Sequence, residues 1–130
     1  MQSQLFEINL TIPADAIDQM GHVNNVKYLQ WMQDVAQAHW LHETTEDIQK
    51  QYAWVALEHH IKYHNPSFVN EPIILKTWVE SFEGVKSIRN TEIVRAVDQK
   101  VLVSAVTHWC LLRMPEGRPT RIPKIISDLY

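Results

Sequence analysis

Apolar and polar residues alternate from Leu5 to Ile12, with Phe6, Ile8, Leu10 and Ile12 on one side and Glu7, Asn9 and Thr11 on the other. A period of two predicts a half-buried strand. Pro13 closes it, because proline cannot donate to a strand ladder. Ala14 to Asn25 reads as a loop. From about Val26 to about Leu41 the spacing becomes helical: Tyr28, Leu29, Trp31, Met32, Val35, Ala36, Ala38, Trp40 and Leu41 are apolar, leaving Lys27, Gln30, Gln33, Asp34 and Gln37 as the polar remnant. An apolar face that broad predicts a helix wrapped by other elements. Asn24 or Asn25 suits its N-cap, where a side-chain oxygen accepts a free backbone N–H.

His42 to Gln51 is polar and reads as a loop or a short extra helical turn. From Ala53 the chain turns to strands. Val55, Leu57, His59, Ile61 and Tyr63 alternate with Trp54, Ala56, Glu58, His60 and Lys62. After Asn65-Pro66 and Asn70-Glu71-Pro72, a strand is expected over Ile73 to Phe82. Glu83-Gly84 marks a tight hairpin. Strands over Val85 to Val97 and Val101 to Leu112 follow, joined at Asp98-Gln99-Lys100. One strand, one buried helix and four strands joined by hairpins make an α+β pattern, with an antiparallel sheet curled around the helix. Such a sheet has exposed edges, and pairing across a two-fold covers one, so a homodimer is expected.

The composition adds bounds rather than a function. With 130 residues, 45% hydrophobic and 21% charged, the chain suits one domain with a real core. A net charge of −3 does not call for a nucleic-acid partner. No apolar run reaches the roughly 20 residues needed to span a bilayer. The opening Met-Gln-Ser-Gln-Leu-Phe-Glu carries neither a basic segment nor an apolar signal core, so a cytoplasmic location is expected. Cys110 is the single cysteine, set in an apolar strand, where it reads as inert core. The five tryptophans read first as core or interface residues and only then as ligand-stacking ones.

The chemistry concentrates in Asp18-Gln-Met-Gly21-His22-Val23-Asn24-Asn25-Val26-Lys27-Tyr28. A carboxylate, a glycine turn, an imidazole and two amides share a loop that leads into a helix. Helix N-termini hold unpaired N–H groups and partial positive charge, suited to a developing oxyanion. A carboxylate beside them is the minimum equipment for acyl transfer. Backbone N–H groups from about Val23 to Val26 are the expected oxyanion donors, and Gly21 permits a tight turn. The bland alternatives are an Asp18 that only caps a turn, a His22 packed against the helix start, and asparagines that only cap. A metal reading has little support: His60 and His64 share a strand face and His39 and His42 a helical turn, but three or four converging ligands are needed, and none is expected.

The run Asp18-x-x-x-His22-Val-Asn-Asn-Val-Lys-Tyr28 resembles the corresponding stretch of plant acyl-ACP thioesterases. Its Asp18-x-x-Gly21 core is similar to the start of 4-hydroxybenzoyl-CoA thioesterase and related small acyl-CoA thioesterases. Ile61-Lys-Tyr-His-Asn-Pro66, Ser87 to Arg95, Val101 to Trp109 and Gly117 to Pro123 are similar to members of that superfamily too. The resemblance implies a hotdog fold over residues 1–130, a long helix wrapped by a five- or six-stranded antiparallel sheet, assembled as dimers or tetramers with sites between subunits. It implies hydrolysis of an acyl-CoA or acyl-ACP thioester with no cofactor beyond the coenzyme A of the substrate. By it, Asp18 is nucleophile or general base and His22, Asn24 and, weakly, Glu58 assist. Gly21, Val23, Asn25, Val26 and Tyr28 then contact substrate, and Lys86, Ser87 and Arg89 meet the coenzyme A phosphates, with Arg118, Arg121 and Lys124 as further basic candidates. Met20 stands where the plant pattern has an asparagine. A hotdog hydratase or dehydratase and a non-catalytic acyl-CoA-binding domain are the alternatives.

Overall fold

The computed structural model describes residues 4–130. Met1, Gln2 and Ser3, part of the stretch read for an export signal, lie outside them. In chain order the elements are β1 (Phe6–Thr11), a short 3-10 turn (Ala14–Ala16), α1 (Asn25–Glu43), α2 (Glu46–Gln51), β2 (Tyr52–Tyr63), β3 (Pro72–Glu83), β4 (Lys86–Arg95), β5 (Val101–Arg113), β6 (Arg118–Pro119) and α3 (Lys124–Ser127). The strands form one antiparallel sheet in the order β1-β3-β4-β5-β2, with β6 added to β5. It curls around α1 as the hotdog resemblance implies. Among the described residues no helix is long and apolar enough to cross a membrane.

The helix and hairpins form where the periodicity places them. Asn24 is the N-cap of α1, its Oδ1 accepting the Val26 N–H at 2.9 Å. Glu83 pairs with Lys86 across Gly84-Val85, and Gly84 takes φ +63°, which favours glycine in a two-residue turn. The polar stretch after α1 becomes α2, capped by the Thr45 hydroxyl on the Ile48 N–H. β4 ends at Arg95, two residues before the expected Val97, which is exposed in the turn that follows.

Two expectations about which side chains face inward need correction. The alternation in β2 reverses at Leu57, where the register slips between Ala56 and Glu58. Such a bulge inserts one residue and flips the facing of everything beyond it. Ala56, His59 and Ile61 therefore face inward opposite Trp109, Thr107 and Ala105, whereas Val55 and Leu57 are 42% and 51% exposed. The helix, for its part, is wrapped on one side only. Its buried stripe is Tyr28, Trp31, Met32, Val35, Ala36 and His39, while Gln30, Gln33, Asp34 and Gln37 remain exposed.

The interior has two apolar clusters. The larger joins Tyr28, Trp31, Met32 and Val35 of α1 to Ile12, Ile73, Leu75, Ile93, Leu102, Val103 and Ala105. The smaller, toward the other end of the strands, joins Tyr52, Leu111 and Ile126 with Trp40, Trp54 and Tyr130 packed against them. A buried polar row crosses the sheet between them: Thr77 opposite Thr91, and Arg89 opposite Thr107, which bonds His59 Nδ1 at 2.8 Å.

Candidate active site

The loop before α1 is a small hairpin closed by a bridge between Ile17 and Val23. The Asp18 N–H donates to the His22 carbonyl at 2.8 Å and the Gly21 N–H to the Asp18 carbonyl at 3.1 Å. Gly21 sits at φ +79° with open space where a Cβ would stand, so its requirement is conformational rather than steric. The Asp18 Oδ1 accepts the N–H groups of Met20 (2.8 Å) and His22 (3.2 Å). These bonds fix the carboxylate in an Asx-type turn. Oδ2 takes no hydrogen bond from the described residues and is left for solvent or a ligand.

A cleft of about 250 Å³ opens here, lined by Asp18, His22, Val23, Asn25, Tyr28, Tyr63, His64, Asn65 and Pro66. His22 is half-buried, its ring edge-on to Phe68 at 5.3 Å. The Tyr28 phenol hydrogen-bonds the Ser67 hydroxyl, and burial raises its pKa, so it is protonated at neutral pH. The end of β2 and the β2–β3 loop thus contribute four of the nine cleft-lining residues. Their signal lay in the Tyr63-His-Asn-Pro66 stretch, whose family resemblance carried no assigned role.

The donor run expected from Val23 to Val26 is mostly spent on the fold. Val23 N–H bonds the Ser67 carbonyl at 3.1 Å, Asn24 N–H the Ala16 carbonyl at 2.8 Å, and Val26 N–H the Asn24 cap. Among the described residues only the Asn25 N–H of that run has no partner, and Asn25 lines the cleft. Asn24 has its side-chain oxygen committed to the cap, and Val26 is 72% exposed and off the cleft wall.

The remaining candidates lie elsewhere. Glu58 is exposed on β2, 3.7 Å from His60 and 3.6 Å from His108, and does not line the cleft. Lys86 pairs with Cys110, whereas Tyr63 at the cleft pairs with Val103; seven residues along β5 separate them by about 23 Å. Arg118, Arg121 and Lys124 follow the same far end, where Arg118 pairs with Arg113 and Ile122 N–H bonds the Gly84 carbonyl. Ser87 and Arg89 are buried on the inner face of the sheet. His39 is buried in the core and His42 is exposed; no three His, Cys, Asp or Glu converge among the described residues.

Ser87 and Arg89 line a second, larger cavity of about 560 Å³ between the later turns of α1 and the sheet. Gln33, Gln37 and Trp40 of α1, Trp54 and Ala56 of β2, Phe82 of β3 and Trp109 of β5 complete much of its wall. It starts about 12 Å along the helix axis from Asn25, eight residues at 1.5 Å each.

The fold matches a 1,4-dihydroxy-2-naphthoyl-CoA thioesterase from Synechocystis (16% identity, 97% of this chain and 95% of that one, TM-score 0.84). It matches a Staphylococcus aureus protein solved in complex with CoA (16% identity, 99% and 83% covered, TM-score 0.85). It also matches a probable thioesterase from Escherichia coli (14% identity, 95% and 94% covered, TM-score 0.83). No curated protein matches the sequence. The sequence itself matches a family description over residues 12–128, nearly all of the chain, and by that match it belongs to the thioesterase-like superfamily.

Proposed function

We propose that this chain, acting as one hotdog domain, hydrolyses an acyl thioester to a carboxylic acid and a free thiol at the cleft before α1. The observation that carries the reading is the Asp18 carboxylate: among the described residues one oxygen is tied to two backbone amides and the other takes no hydrogen bond, and Asn25, whose N–H has no partner among them, lines the same cleft. The thioester carbonyl oxygen would take that N–H at the positive end of the helix, where negative charge develops. Asp18 then either attacks the carbonyl carbon, expelling thiolate and leaving a mixed anhydride that water cleaves, or removes a proton from the attacking water. His22 stands in the same cleft to protonate the departing thiolate. Coenzyme A is the favoured thiol carrier, because a structurally similar Staphylococcus aureus protein was solved with it.

Two copies pair along β2 in this reading. β2 is a sheet edge of twelve residues that exposes Val55 and Leu57, a surface that strand pairing covers. Antiparallel pairing about a two-fold sets the Tyr63 end of one copy beside the Tyr52 end of its partner. The cleft of each copy then neighbours the partner's cavity end, where Lys86 also lies. A carrier-protein thioester is the alternative substrate to an acyl-CoA.

The test is thiol release from short-chain, long-chain and aromatic acyl-CoAs and from an acyl carrier protein thioester. Hydrolysis of some members that collapses in Asp18→Asn supports the reading. Hydrolysis of none, or an undiminished rate in Asp18→Asn, contradicts it.

A further inference from the structure

Arg89 is 8% exposed, yet it lines the larger cavity. Its Nη1 donates to His39 Nδ1 at 2.9 Å and to the Thr77 hydroxyl at 3.1 Å, and the guanidinium also hydrogen-bonds the Tyr130 phenol. None of these partners brings a negative charge. Desolvation and the neighbouring cation push the His39 pKa down to about 3, so its ring is neutral; burial pushes the Tyr130 phenol up to about 12. Burial lowers Arg89 itself only to about 10, which leaves it protonated. Among the described residues no carboxylate lies within ion-pair distance of it; Glu43 sits 3.8 Å from the far nitrogen of His39. A buried cation without a counter-charge is costly and is expected to hold an anion when one can reach it.

A second observation is the wall around it, which includes the ring of Trp109. The rest of the wall mixes aromatic rings (Trp40, Trp54 and Phe82) with aliphatic side chains and the amides of Gln33 and Gln37, and about 560 Å³ suits an organic molecule rather than a lone ion.

We infer that this cavity binds the acid group of an organic ligand, its apolar or aromatic body packed against the tryptophans and its carboxylate held by Arg89. This places Arg89 at the acyl end of the ligand and away from coenzyme A phosphates. The inference rests on the thioesterase reading for the origin of the acid. It is either a second carboxylate at the distal end of the acyl group or the carboxylate released by hydrolysis.

Tryptophan fluorescence titrations with matched pairs, a naphthoate against its naphthamide and decanoate against decanamide, test it without any turnover. A charge-assisted hydrogen bond predicts that each acid binds roughly ten- to a hundredfold tighter than its amide. Arg89→Met, close in shape, removes that preference; Arg89→Lys retains part of it. Far-ultraviolet circular dichroism confirms that each variant is folded. Equal binding of acid and amide, or a preference intact in Arg89→Met or absent in a folded Arg89→Lys together with wild type, overturns the inference. Turnover of a carboxy-terminated acyl-CoA against its methyl ester separates the two origins: a preference for the acid assigns it to the acyl group, and equal turnover assigns it to the released product. Because acid binding is read without hydrolysis, an inactive protein that still prefers acids refutes the proposed function alone. An active protein without that preference refutes only the cavity's role.

Discussion

The start and the later turns of α1 meet the same curled sheet, yet they face opposite electrostatic problems. At the start, the Asp18 carboxylate lines a small cleft together with Asn25, whose N–H has no partner among the described residues. Farther along, a buried guanidinium on Arg89 stands in an aromatic cavity more than twice as large. In the first region the carboxylate is held by the backbone bonds of its own turn; the second is built from α1 and strands far apart in sequence, with a buried cation in its wall. A negative group at a polar cleft suits bond-breaking, where charge develops and water enters. A positive group in an apolar cavity suits recognition, where an anion is desolvated once and held. The difference teaches that chemistry and selectivity need not share a wall.

Breaking the first region has the largest expected effect. Asp18→Asn keeps both turn-forming bonds through its amide oxygen but loses the basic oxygen, so thiol release should fall by at least about a hundredfold with the fold unchanged. Steady-state kinetics beside circular dichroism check this.

Packing separates the two regions next. Leu102 is fully buried and belongs to the cluster under the cleft, and Leu111 is fully buried in the cluster at the cavity end. Leucine-to-alanine changes at either should each cost about 2–5 kcal/mol in urea unfolding. Leu102→Ala should also slow turnover, whereas Leu111→Ala should act chiefly on acid binding.

Protonation sharpens the contrast further. His39 has its folded-state pKa near 3 against an ordinary value of 6.5, because burial and Arg89 disfavour its charged form. Between those values the unfolded chain binds more protons than the folded one, so stability rises with pH. The His39 contribution is therefore complete above pH 6.5 and is lost progressively as pH falls toward 3. Urea midpoints at pH 7 and pH 5 should differ more in the wild type than in His39→Leu.

The smallest effect belongs to the cap. Asn24→Ala removes the acceptor for the Val26 N–H and should cost about 1 kcal/mol, restored by Asn24→Ser or Asn24→Asp. Since the Asn25 N–H is untouched, turnover should drop only a few-fold in the same assay used for Asp18.

What was legible in the sequence divides along similar lines. β1, α1 and the β3–β4 hairpin follow from short-range periodicity and turn residues, which act within a few positions. Leu57 is not legible as a bulge, because on paper it continues the alternation; only the pairing with β5 reveals that His59 rather than Leu57 faces inward. His39 enters the sequence reading only as a possible metal ligand beside His42, yet it occupies the buried stripe because Arg89, Phe6 and Tyr130 meet it from other elements. The Asp18 turn could be read locally. The loss of the Val23 and Asn24 N–H groups to Ser67 and Ala16 could not, since backbone acceptors leave no residue-type signature.

The most direct test of this division of labour is kcat/KM for Asp18→Asn and Arg89→Met, measured side by side on a carboxy-terminated acyl-CoA and its methyl ester. The account predicts that Asp18→Asn lowers both values by the same large factor and leaves their ratio alone. With the acid on the acyl group, Arg89→Met should change the ratio and spare the methyl ester; with the acid as released product, the ratio stays and only acid binding is lost. An Asp18→Asn enzyme with normal turnover, or an Arg89→Met enzyme that loses both substrates equally, would contradict it.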